Sequence, residues 1–307
     1  MANIIALVWD FDKTLVNGYM EDPVFEFYNV NPKVFWDEVN ALPAKYMREQ
    51  KVKVNPDTIY LNHMIRYARE GKFEGLNNDK LYDLGKNLRF YDGIPDIFER
   101  TQALIEKEPI YAEYDIKLEH YIVSTGISQV IRGSSVARFA KQIWGCEFIE
   151  GPDPNDKSRY IISEVGYSLD NTTKTRALFE INKGVGLIDD MTVNTKIPEE
   201  HRRVHFINMV YVADGPSDVP AFSVVNQNGG ATFAIYPKGD MKALKQVEQM
   251  RADGRINMYA EADYSEGTTA FMWLCNKITE FAERIRVEER QKQARYTDIE
   301  PPKHLMG

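Results

Sequence analysis

The sequence predicts an α/β protein with a Rossmann-like, three-layer α/β/α core around a mostly parallel sheet, and a helical insert after the first strand. Three observations predict it. A short apolar run at 4–9 ends abruptly in Asp10-Phe11-Asp12-Lys13-Thr14. From about Asn17 to Phe90 apolar residues recur at helical spacing, with no convincing strand. From Gly93 onward, short β-prone runs alternate with segments of helical period.

The run 4–9 is unbroken by polar residues, as expected of a central strand covered on both faces. Asn31-Pro32 reads as a helix start with proline in the first turn, followed by Val34, Phe35, Val39 and Leu42. Asn55-Pro56 repeats the signal, with Ile59, Tyr60, Met64 and Tyr67 on one stripe and Gly71 as the stop. Leu81, Leu84 and Leu88 suggest a third helix.

Beyond Gly93, the apolar residues Ile97, Phe98, Leu104 and Ile105 fit a helix. Residues 121–123 fit a strand ending in Ser124-Thr125-Gly126. Two strands, near 148–149 and over 160–169, flank a turn-rich 151–155. A helix over 173–182, a strand at 209–212, a turn at Asp214-Gly215-Pro216, a short helix to Val225 and a strand at 232–235 follow. The last clear element is a helix over 268–290. The predicted organisation is therefore a core of 1–16 and 91–290, a helical insert of 17–90, and a charged, proline-marked tail of 291–307 open to fraying or disorder.

Bulk composition narrows the function. At 43% hydrophobic and 27% charged residues, the 307-residue chain can bury a substantial core. A net charge of -8 argues against a general nucleic-acid binder, which needs a basic face for phosphates. Cys146 and Cys275 form no CxxC pair, so a zinc knuckle or disulfide framework has no support. The N-terminal apolar run is too short for a secretory signal or a membrane span, and the expectation is a cytoplasmic protein with no membrane partner.

In a parallel sheet, functional groups collect beyond the carboxyl ends of the strands. Three such ends carry polar clusters: Asp10-x-Asp12-x-Thr14, Ser124-Thr125-Gly126, and Asp214-Gly215-x-x-Asp218. Lys174 falls in the first turn of a predicted helix. Singly, each reads as an ordinary turn or surface charge. Together, in this order, they do not.

The set resembles the haloacid dehalogenase-like superfamily, and more narrowly its phosphoserine phosphatase-like members with a helical cap, over about 4–16 and 92–236. The resemblance implies a phosphatase that hydrolyses a small phosphorylated metabolite through an aspartyl-phosphate. Asp10 would be the nucleophile and Asp12 the general acid and base. Ser124 and Lys174 would hold the transferring oxygens, helped by Thr14, Thr125 and Gly126. Mg2+ would be held by Asp10, Asp214 and the backbone carbonyl of Asp12, with Asp218 in support. An acid two residues after the nucleophile disfavours dehalogenation. Lys13 stands where glycine is common in the superfamily.

The resemblance makes the insert of 17–90 the helical cap, where Glu21 reads either as a solvated acid, the plainer account, or as the candidate for a substrate cation. The aromatics Phe35, Trp36, Tyr46, Tyr60 and Tyr67 are expected to pack the cap helices, and Lys45, Lys51 and Lys53 to face water. His63 is read as packing, and His201 and His205 as part of a solvated loop before the strand at 209. The same residues would also serve a phosphotransferase or phosphomutase, and a binding protein could retain the fold without turnover.

Overall fold

A computed structural model describes residues 3–297. The strands are β1 (Asn3–Trp9), β2 (Ile116–Ile127), β3 (Ala140–Pro152), β4 (Tyr160–Tyr167), β5 (Met209–Ala213), β6 (Ala231–Tyr236) and β7 (Met258–Glu261). They form one sheet in the order β4-β3-β2-β1-β5-β6-β7. All neighbours are parallel except the β3–β4 hairpin. The central strand β1 is buried from Ile4 to Trp9, as its unbroken apolar run requires.

Between β1 and β2 lie α1 (Asp22–Tyr28), α2 (Pro32–Gln50), α3 (Ile59–Arg69), α4 (Asn78–Gly85), α5 (Asp96–Glu106) and the short α6 (Pro109–Ala112). Then α7 (Ser128–Gly133) follows β2, α8 (Lys174–Lys183) follows β4, and α9 (Val219–Gln227) follows β5. Finally α10 (Met241–Ala252) and α11 (Thr269–Thr297) flank β7. No helix among the described residues is long and apolar enough to cross a membrane.

Register and alternation show that helices cover both faces of the sheet. Trp9 pairs with Val212, and Val212 with Phe233, so these three share a face. Phe98 of α5 packs on Trp9 and Trp273 of α11 stacks on Phe233, which puts α5 and α11 on that face. Tyr211 points the opposite way and meets Phe222 of α9 edge-on. The predicted three-layer arrangement is thus observed.

The insert holds α1 to α4, with Phe25, Phe35, Tyr67 and Phe73 at its centre. Asn31 caps α2 by accepting a hydrogen bond from Lys33 N–H. The two chain crossings run side by side, with Asn17 N–H donating to Arg89 O (2.8 Å) and Tyr91 N–H to Leu15 O (3.0 Å).

The insert is also tied to the core. Ile162 N–H of β4 donates to Leu76 O (2.9 Å), and Glu150 accepts from Asn78 N–H (2.7 Å) at the start of α4. Gly85 and Gly133 bring α4 and α7 into backbone contact: a Cβ on either would strike the main chain of Val130 or Tyr82. At the other end, Asn55 donates to Asp170 (2.9 Å), just ahead of α8.

Several elements differ from expectation. β2 starts at Ile116, because Ile116, Leu118 and His120 alternate inward with polar neighbours, and it runs on to Ile127. β3 starts at Ala140, pairing with β2 up to Cys146 before turning out to pair with β4. The helices α1, α6, α7 and α10 and the strand β7 were not foreseen. α10 buries only Val247 and Met250, too thin a stripe to stand out, although Asp240 caps it through Lys242 and Ala243 N–H. β7 is only four residues long. The helix expected to end at 290 continues to Thr297, so the first part of the anticipated tail is helical. Residues 298–307 of that tail lie outside the described residues.

Candidate active site

β1 delivers Asp10 directly from its carboxyl end, with Asp10 N–H bonded to Val212 O (2.9 Å). The chain then turns tightly, as Leu15 and Val16 N–H donate back to Phe11 O. Lys13 takes the turn at φ 55°, in the left-handed region, which explains why glycine would serve there. Its ammonium lies over the Tyr19 ring and donates to the Tyr19 hydroxyl. Burial works against that charge, but the Tyr19 contact and the fields of Asp214 and Asp12 raise its pKa. Lys13 therefore contributes positive charge near the acids, which its place in the motif did not reveal.

Lys174 comes from the first turn of α8 and is almost wholly buried. Its Nζ donates to Asp10 Oδ1 (2.6 Å) and to Asp218 Oδ1 (2.7 Å). Burial opposes the ammonium, and the two carboxylates outweigh it, so the pKa stays raised. Asp218 also accepts from the Tyr211 hydroxyl (2.6 Å) and from Ser217 (2.9 Å). Thr14 is fully buried and its hydroxyl donates to Asp10 Oδ2 (3.1 Å). The Thr14 hydroxyl thus holds the Asp10 carboxylate in orientation.

Asp214 follows β5 and faces Asp10 and Asp218. One carboxylate oxygen from each of the three lies within 4.8 Å of the others. Burial, then the neighbouring carboxylates, push Asp10 up to about 6 and Asp214 up to about 7. Asp12 accepts from Met20 N–H through Oδ1 (2.8 Å). Its pKa is raised by burial, then by Glu21 and Asp10. Glu21 is 2% exposed and pushed up to about 7 by burial, and no cation is among the groups that shift it.

Ser124 sits where β2 parts from β3 and is buried. Its Oγ accepts from Gly126 N–H (3.0 Å), and the Thr125 carbonyl accepts from the Tyr60 hydroxyl (3.0 Å). The structure therefore gathers Asp10, Thr14, Lys174, Asp214 and Asp218 into one contact network. Asp12, Glu21 and Tyr60 interact electrostatically beside it, and Met20 links Asp12 to Ile127, next to the turn at 124–126.

Sequence reasoning missed Tyr211, Met20 and the hydroxyl of Tyr60. It also missed Tyr264, whose hydroxyl donates to Thr14 O (2.7 Å). The only signal was phenols in otherwise apolar strands and helices, where a buried hydroxyl needs a partner. His63 is buried in the insert between Glu38 (2.8 Å) and Arg66 (2.6 Å), and His201 and His205 lie in the loop before β5, with His205 facing Glu199 (3.7 Å).

No family model matches the chain. An uncharacterized protein of Borreliella burgdorferi is 37% identical over 287 residues, covering 90% of this chain and 97% of that one. Among solved structures, the chain is similar to a HAD family hydrolase of Salmonella enterica serovar Typhi at 12% identity and TM-score 0.48, over 84% of this chain and 67% of that one. It is also similar to a phospho-aspartyl intermediate analogue of phosphoserine phosphatase, at 15% identity and TM-score 0.46, over 84% of this chain and 93% of that one.

Proposed function

The chain belongs to one family with the Borreliella burgdorferi protein, and we propose that it is a magnesium-dependent phosphomonoester hydrolase of the haloacid dehalogenase-like superfamily, acting through an aspartyl-phosphate on Asp10. The observation that carries this reading is the buried Lys174 ammonium bridging Asp10 and Asp218 beside Asp214. A carboxylate whose two oxygens are fixed by Thr14 and Lys174 is preset in orientation, which is what an attacking group needs.

The donor set fits a hard divalent cation. Three clustered carboxylates face one buried ammonium, leaving excess negative charge, and all the ligand atoms are oxygens. Asp10, Asp214 and the main-chain carbonyl of Asp12 would hold magnesium, with Asp218 turned toward Lys174 and Tyr211 in support. When bound, the ion supplies the positive charge that lets a phosphate dianion approach Asp10.

The protein's own groups do the rest. An Asp10 oxygen forms a bond to phosphorus as the phosphorus–ester oxygen bond breaks. Asp12 gives its proton to that departing oxygen, and Met20 N–H holds the other end of the carboxyl. Asp12 then takes a proton from water, whose oxygen attacks phosphorus and releases Asp10 and phosphate. Lys174 and Ser124 hold the transferring oxygens. Glu21, buried beside Asp12 with no cation among the groups that shift it, favours a small substrate bearing an amine.

The test is phosphate release from a panel of small phosphomonoesters, with magnesium and with EDTA, for wild type and Asp10→Asn. Magnesium-dependent release that the variant lacks supports the reading. Release by the variant, or none by wild type on any ester, overturns it.

A further inference from the structure

The pairing of β2 with β3 breaks between Val123, opposite Trp144, and Ile127, opposite Cys146. The main-chain groups in that break leave the ladder and need other partners. Side chains provide them. The Thr125 carbonyl accepts from the Tyr60 hydroxyl of α3 (3.0 Å) and from the Cys146 thiol of β3 (3.2 Å). Ile127 N–H donates to Met20 Sδ (2.9 Å), and Gly126 N–H donates to Ser124 Oγ (3.0 Å). Met20 packs so closely on Gly126 that any Cβ there would collide with its thioether. Met20 N–H, in turn, holds Asp12.

The peptide unit joining Thr125 to Gly126 is planar, so its carbonyl and its N–H point in opposite directions. Fixing the carbonyl on Tyr60 therefore aims the N–H at Ser124. Tyr60 belongs to the cap, Met20 to the first chain crossing, and Ser124 to the core.

We propose that Tyr60 and Met20 are positioning residues that hold the Ser124 turn in its phosphate-binding shape, so that affinity for phosphate depends on the cap being seated. This rests on the phosphatase reading for the role of Ser124. With the cap seated, the turn is braced from both sides. With the cap lifted, Tyr60 leaves Thr125, the carbonyl keeps only the weaker Cys146 thiol, and phosphate is held less tightly, which favours product release.

The experiment measures binding of inorganic phosphate to the full chain in magnesium by calorimetry, alongside kcat and KM. Loss of one hydrogen bond predicts roughly fivefold weaker phosphate binding in Tyr60→Phe, with a melting temperature lowered by no more than the loss of that bond. Met20→Leu, which removes the acceptor, should weaken binding similarly, and Met20→Gln, which restores one, should recover it. Cys146→Ser keeps a donor on Thr125 and should bind phosphate as wild type does. Phosphate affinity in Tyr60→Phe and Met20→Leu equal to wild type overturns the proposal. Wild type that binds phosphate but hydrolyses no ester sinks the hydrolase reading alone, and wild type that binds none sinks both.

Discussion

Lys174 and Asp218 meet at 2.7 Å with neither side chain reaching water. A buried charge pair is costly to form and far costlier to break from one side, because the remaining charge keeps its desolvation penalty. Lys174→Met leaves Asp10 and Asp218 facing each other. It should remove activity and lower unfolding free energy by about 3 to 5 kcal/mol in magnesium-free buffer, read by urea denaturation. Wild-type stability would show that the ammonium is not holding those acids.

Magnesium should stabilise the fold, since Asp10, Asp214 and Asp218 repel one another without it. Binding to the native state alone adds about 2.7 kcal/mol at a hundredfold excess over Kd. The melting temperature of wild type should therefore rise with magnesium and fall back on chelation, while Asp214→Asn should respond weakly. An equal response in both would place the ion elsewhere.

A third expectation concerns pH. Trp9 Nε1–H donates to His120 Nδ1 (3.1 Å) in the core, and burial lowers the imidazole from 6.5 to about 3. Between those values the unfolded chain binds a proton that the folded chain refuses. Stability therefore falls as pH drops from about 6.5 toward 3, by at most about 1.4 kcal/mol per pH unit from this group. Subtracting the His120→Gln profile from the wild-type profile should isolate this slope. A flat difference over that window contradicts it.

Selectivity offers a fourth. Glu21→Gln should raise KM for amine-bearing phosphomonoesters by roughly tenfold or more, as expected for a lost charged hydrogen bond. Turnover of esters without an amine should change little. A uniform loss across the panel would assign Glu21 to the general machinery of the site.

How much of this was legible in the sequence follows from what each residue has to do. Asp10, Asp12, Lys174, Asp214 and Asp218 stood out because polar groups interrupt apolar patterns at strand ends and a helix start. Their convergence was expected from parallel topology, and the sheet order brings β1 and β5 together. Tyr60 and Met20 were illegible for the opposite reason. Each fits an apolar stripe, and only the fold reveals that one hydroxyl and one thioether serve main-chain groups. The thin-striped α10 and four-residue β7 were lost because burial of one or two side chains leaves no periodic trace.

The glycine seam between α4 and α7 has a consequence for traffic. One side of the insert is masonry: α4 rests backbone to backbone on the core, and β4 and Glu150 grip Leu76 and Asn78. The opposite side rests on the lighter fastenings of Asn55 to Asp170 and Tyr60 to Thr125. On the proposed reading, the insert would open from the side of Asn55 and Tyr60 while the α4–α7 seam holds.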